Sequence, residues 1–294
     1  MRIVDAHVHV WDADAVPIPW FRDDLGLPRH AAATDLGREL TDAGVSSAIA
    51  VQAADSVAEA EWLTATAARD PYLRRVVLQY TPAPGRAAGA TAVAFSPAVV
   101  GVRAAVPQYA ADLSDVDGLD ALAEHLGATA RTLELLIRAE QLPAAAALSR
   151  RHPGTAIVLC HLGLGARTAD AAWLSALAEA ASAPGVSAKV SGLDLAARGA
   201  DESQELLRSA FTLFGADRLM FGSDWPMSTR TTTYAEVLAV RTLMAWCSAQ
   251  LACRSPGQVC GLEFSPRGRR GTSTSRRVRG RSRRWRRWVA SCGL

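Results

Sequence analysis

In the stretch VDAHVHVWD, residues 4–12, two histidines stand one residue apart inside a run of valines. Side chains two apart on a β-strand share a face, so Asp5, His7 and His9 project together if this run is extended. Two imidazoles on one face can ligate a metal ion or, as proton donors, polarise a carbonyl. An HxH pair alone also fits ordinary packing, so other groups have to join it. Candidates close other apolar runs: Arg103 in VVGVRA, Arg138 in TLELLIR, His161 in TAIVLCH and Asp224 in RLMFGSD, with Lys189 inside VSAKVS. Charges inside apolar runs are costly unless paired or used. Taken singly, Arg103 or Lys189 has a structural reading as the partner of Asp5 or Glu134, and Asp224 as the cap of a turn. Taken together they read as a site.

Eight runs of strand length recur along the chain, at 2–8, 46–52, 74–80, 99–104, 132–138, 155–161, 186–191 and 218–224. Most are too apolar for one-sided surface strands and suit strands buried on both faces of a parallel sheet. Helix-period stretches separate them, among them 34–44, with Thr34 as expected N-cap and Gly44 as stop, 56–70, 139–152, 170–182 and 234–251. Alternating strand and helix with right-handed crossovers, eight strands in about 250 residues, predicts an α/β fold of the (β/α)8 TIM-barrel type. The competitor, a doubly wound open sheet, lacks its Gly-rich phosphate turn after the first strand. In a barrel, strand C-termini open into the catalytic mouth, where the histidines, arginines and Asp224 would meet.

The chain of 294 residues carries a net charge of +3 that hides two regions. From Arg254 onward twelve arginines face a single acidic residue, Glu263, whereas the rest holds 20 basic and 28 acidic residues, with Lys189 as the sole lysine. The expected organisation is a barrel over 1–253 and a basic, low-complexity, disordered tail over 254–294. The abrupt change of composition, in an alanine-rich chain with one lysine, reads as a frameshift in a GC-rich gene, natural or introduced in sequencing. Arginines interleaved with Trp285 and Trp288 have the charge and stacking groups for nucleic acid or an anionic surface. No nucleic-acid module accompanies them, so the expected partner is a small-molecule substrate. No apolar run approaches the roughly 20 residues of a membrane helix, no signal peptide is evident, and five cysteines without paired spacing give no disulfide framework. The expected location is the cytoplasm. Oligomeric state leaves no mark in the sequence.

VDAHVHVWD, VVGVRA, LELLIRAEQLPAAAALSRRHPGTAIVLCHLG, AKVSGL and FGSDWP together resemble the amidohydrolase-related (amidohydrolase 2) family, in its branch of sugar-acid and pyrone-dicarboxylate lactonases. The resemblance runs from residue 1 to about 246. It implies a (β/α)8 barrel that opens a lactone ring, with Asp224 as general base and His7, His9 and His161 polarising the carbonyl or holding one metal. Arg103, Arg138, Trp11 and Lys189 are the implied substrate contacts, with Trp20 and Tyr80 as further walls. The resemblance implies no obligatory metal, or a single divalent cation such as Zn²⁺ on His7, His9, His161 and Asp224. Three positions depart from the family pattern: Cys160 precedes His161 where an aspartate or asparagine is usual, Ala104 follows Arg103 in place of histidine, and YTPAP replaces a glycine-tryptophan stretch. A metal-dependent decarboxylase of the same superfamily is the alternative activity. A catalytically inactive barrel with a basic binding tail is the alternative class.

Overall fold

The runs of Val, Ile and Leu form a parallel sheet because each strand is buried on both faces, by its neighbours inside and by helices outside. The structure, a computed structural model, describes residues 3–80 and 96–239. The strands of the main sheet are β1 Val4–Val8, β2 Ser47–Val51, β3 Leu73–Tyr80, β4 Val99–Ala105, β5 Thr132–Leu136, β6 Ile157–Leu159, β7 Val186–Val190 and β8 Leu219–Phe221. They pair in chain order, all parallel, with registers such as Val4↔Ser47 and Arg103↔Glu134. A doubly wound sheet would reverse its order midway, so the barrel expectation holds.

Closure comes from the segment after β8 rather than from β8 itself. His9 N donates to Trp225 O at 2.6 Å and Asp224 N to His7 O at 2.8 Å. The buried Asp5 carboxylate reinforces the seam, accepting from Ser223 N (2.9 Å), His7 N (3.1 Å) and Tyr234 Oη (2.9 Å). Gly222 makes the close approach possible: a Cβ there would lie 2.7 Å from His7 Cβ.

Helices α1 Ala33–Asp42, α2 Val57–Arg69, α3 Leu119–Ala128, α4 Leu142–Arg151, α5 Ala171–Ser182 and α6 Ala200–Phe214 surround the sheet. Ser56 caps α2 by accepting from Glu59 N, and Asp170 caps α5 by accepting from Trp173 N. Thr34 does not cap α1. The cap lies two residues earlier, at Ala32, and Asp35 stands in the first turn, where a negative charge suits the helix dipole. Gly44 takes the expected left-handed turn, at φ +67°. The expected helix at 234–251 is seen over 234–239; its remainder and the arginine-rich tail lie outside the described residues. Among the described residues, no helix is long and apolar enough to cross a membrane.

Glu59 on α2 turns inward and accepts from Ala53 N and Ala54 N, at 2.7 and 2.5 Å, which fixes the loop after β2. Burial pushes its carboxyl up to about 7 from 4.5, against the lowering effect of those bonds. A folded pKa above the unfolded one contributes stability that is full below about 4.5 and is lost as pH rises through about 7. Thermal unfolding followed from pH 5 to 8 should therefore show a loss that Glu59→Gln reduces; equal pH dependence in both proteins would contradict the assignment.

Candidate active site

Each site residue sits where its strand ends. Alternation on β1 turns Asp5 and His7 inward, and His9 follows at the mouth; all three are buried. His161 follows β6 in a tight turn, Cys160–Gly163, whose His161, Leu162 and Gly163 have φ of +54°, +55° and +62°. Asp224 follows β8, also left-handed, at φ +60°. Non-glycine residues held there carry strain, of order 1–3 kcal/mol each, that recurs where function demands a set position. The turn at His161 is also why β6 ends at Leu159, two residues short of the run read from sequence.

The structure brings three of the expected residues onto one point. His7 Nε2 and His9 Nε2 are 3.3 Å apart, and each lies 3.5 Å from Asp224 Oδ1. His161 packs against His7, ring centroids 4.8 Å apart, but does not join the set of donor atoms that converge within 4.8 Å. The expected four-residue metal set is thus a triangle of three with His161 beside it.

Hydrogen bonds assign ring protons. His9 Nδ1–H donates to Val51 O at 2.7 Å, leaving Nε2 with a bare lone pair. Lys189 Nζ lies 3.4 Å from His7 Nδ1. An ammonium only donates, so the single proton of neutral His7 sits on Nε2, facing the triangle. Burial holds His7 well below the usual histidine range, and the cations Lys189 and Arg103 add to this. His161 is lowered by burial too, with Asp224 opposing. Burial alone would raise Asp224; the neighbouring His161, His9 and Arg103 outweigh it and hold the carboxyl below its ordinary value. His7 and His161 are thus held neutral beside an ionised carboxylate.

Lys189 is fully committed behind His7, with its Nζ 2.5 Å from Glu134 Oε1 in a buried pair. Removing either partner would leave an unpaired buried charge, at a cost of about 3–5 kcal/mol. Arg103 is buried beside the site, its Nε donating to Gln79 Oε1 at 3.0 Å and its Nη2 to Gln52 O at 2.7 Å. Gln52 Oε1 accepts from Gln79 N in turn. Neither glutamine was picked out in the sequence, although Gln52 closes the run SSAIAVQ and Gln79 stands next to last in RRVVLQY. Arg138 stands further out: its Nη2 donates to Tyr109 O, and its buried Nε has no partner among the described residues. Trp11 is buried with its Nε1 donating to Pro28 O, Trp20 Nε1 donates to Ala53 O, and Tyr80 Oη to Asp117 O.

The triangle suits a divalent cation. A tetrahedral zinc with ligands at about 2.0–2.1 Å separates its donor atoms by about 3.3–3.4 Å, close to the 3.3 and 3.5 Å edges seen here. Two imidazoles and a carboxylate are also a zinc-type donor set. Binding would displace the His7 Nε2 proton.

Residues 4–254 match the amidohydrolase family Amidohydro_2, and the chain belongs to it. It is 29% identical to L-fucono-1,5-lactonase of Burkholderia ambifaria over 259 residues, 83% of this chain and 86% of the relative. Its identity to L-fucono-1,5-lactonase of Burkholderia multivorans is also 29%, over 276 residues, covering 88% and 93%. Among solved structures, an amidohydrolase from Burkholderia multivorans crystallised with zinc superposes with a TM-score of 0.70 at 28% identity, covering 85% of this chain and 92% of that one. The family resemblance read from the motifs is borne out.

If the triangle is the metal site, calorimetric titration with Zn²⁺ should show binding that His9→Ala weakens by at least about tenfold, the usual scale for losing a ligand or its support. His161→Ala should retain it. Equal weakening by both variants would return His161 to the ligand set.

Proposed function

We propose that the chain hydrolyses a lactone of a small acidic or polyhydroxylated molecule. The observation that carries this reading is an ionised carboxylate, Asp224, 3.5 Å from two imidazole nitrogens at the mouth of the barrel. The two lactonase relatives support it by matching more than four-fifths of the chain.

Asp224 is the general base. Its carboxylate takes a proton from water as the water oxygen bonds to the lactone carbonyl carbon. His7 Nε2–H faces the same point and is placed to donate to the carbonyl oxygen as negative charge develops there, with His161 beside it. When the ring C–O bond breaks, the leaving alkoxide collects the proton held by Asp224, and the product is a hydroxy acid. Arg103, held flat by Gln79 and Gln52, is the natural contact for a substrate carboxylate or hydroxyl cluster. Lys189 and Glu134 set the ring state of His7 from behind. Where a divalent cation such as Zn²⁺ is bound, His7, His9 and Asp224 would hold it, and it supplies Lewis-acid polarisation of the carbonyl.

The test is acid release from a panel of sugar-acid and dicarboxylate lactones. Asp224→Asn should lower kcat about 10²–10⁴-fold, the range typical of a lost general base. Equal rates in both proteins would remove Asp224 from that role. Cation-dependent loss of CO₂ from unsaturated acids, with no lactone opened, would replace the hydrolase reading with a decarboxylase.

A further inference from the structure

Cys160 immediately precedes His161 in the turn after β6. The Cys160 thiol does not serve that histidine. It is fully buried, points to Glu134 Oε2 at 3.6 Å, and burial with the nearby Glu134 pushes it up to about 12, so it stays neutral. His161 instead meets a group from the neighbouring strand: Ser191 Oγ, one residue past β7, lies 2.9 Å from His161 Nδ1. Ser191 is only 4% exposed, and among the described residues its hydroxyl makes this hydrogen bond alone.

We propose that Ser191 is the positioning residue of His161, engaging Nδ1 so that Nε2 is the nitrogen presented to the reacting centre. Gly192 completes the seat. It has φ +56°, and a Cβ there would come within 2.5 Å of His161 Nδ1 and 3.0 Å of Asp224 Oδ2. Any larger residue would push apart the two groups that the proposed reaction brings together. The hydroxyl fixes the ring from one side and the bare glycine backbone lets Asp224 approach from the other. A ring nitrogen held by a fixed partner has one tautomer and one orientation, which is how a neighbouring group tunes a histidine without touching substrate.

Only the kinetic arm of the test rests on the lactonase reading. Nitrogen-15 NMR on histidine-labelled full-length protein resolves the six histidines, with His161 assigned from His161→Gln. Wild type should show His161 in a single tautomer, and Ser191→Ala should show an averaged ring. On the best lactone of the panel, Ser191→Ala should lower kcat by about 10- to 100-fold, the usual effect of losing such a partner, with KM unchanged. Ser191→Thr, which keeps the hydroxyl, should restore both readouts, and circular dichroism checks that each variant is folded. An unchanged tautomer or an unchanged kcat in Ser191→Ala overturns the proposal, as does Ser191→Thr failing as badly as Ser191→Ala. If wild type opens no lactone but the ring still loosens in Ser191→Ala, the seat stands and only the lactonase reading falls.

Discussion

The seam between β1 and the segment after β8 is the constraint on which the site depends. Residues 5–9 and 222–225 lie more than two hundred positions apart, yet two backbone hydrogen bonds and the Asp5 carboxylate lock them together. The same contacts that close the barrel set His7 and His9 against Asp224, so fold closure and site assembly are one event. Asp5 is expensive to bury: burial raises its pKa, and the bonds from Ser223, His7 and Tyr234 only partly offset this. It is tolerated because those donors would otherwise be orphaned at the seam. Tyr234 joins the helix that follows to the same carboxylate, extending the lock beyond the strands.

Around the seam, buried cations govern the imidazoles. Lys189, paired with Glu134, and Arg103, braced by Gln79 and Gln52, both disfavour a charged His7. Both also sit where their charge favours an ionised carboxylate nearby, and Arg103 does so for Asp224. One arrangement thus keeps the proton acceptor charged and the proton donors neutral. It leaves the triangle open to either of two uses, donation to a carbonyl or capture of a divalent cation, which differ by the single proton on His7 Nε2.

Much of this was legible in the sequence. Eight apolar runs gave eight strands, because strands buried on both faces leave an uninterrupted apolar signature. His7, His9, His161 and Asp224 stood out as polar residues closing such runs. Less legible were the residues acting through backbone geometry. The left-handed turn at His161 is announced by Gly163 alone, since His161 and Leu162 before it are not residue types expected there. Gly222 and Gly192 look like ordinary turn glycines until the atoms facing them are known. The split of Arg103 and Arg138 into one inner and one outer arginine was also hidden, because both end a strand run in the same way. Trp11 reads as a substrate contact in the sequence, and the structure shows its ring buried with its N–H bonded to Pro28 O.

The most direct measurement is a crystal structure of the protein with the hydroxy acid product of its best lactone. The account predicts the product carboxylate at the triangle, within hydrogen-bond reach of Asp224 and His7, with the remainder of the molecule reaching Arg103. A product bound elsewhere, with the triangle untouched, would contradict the claim that barrel closure builds the active site.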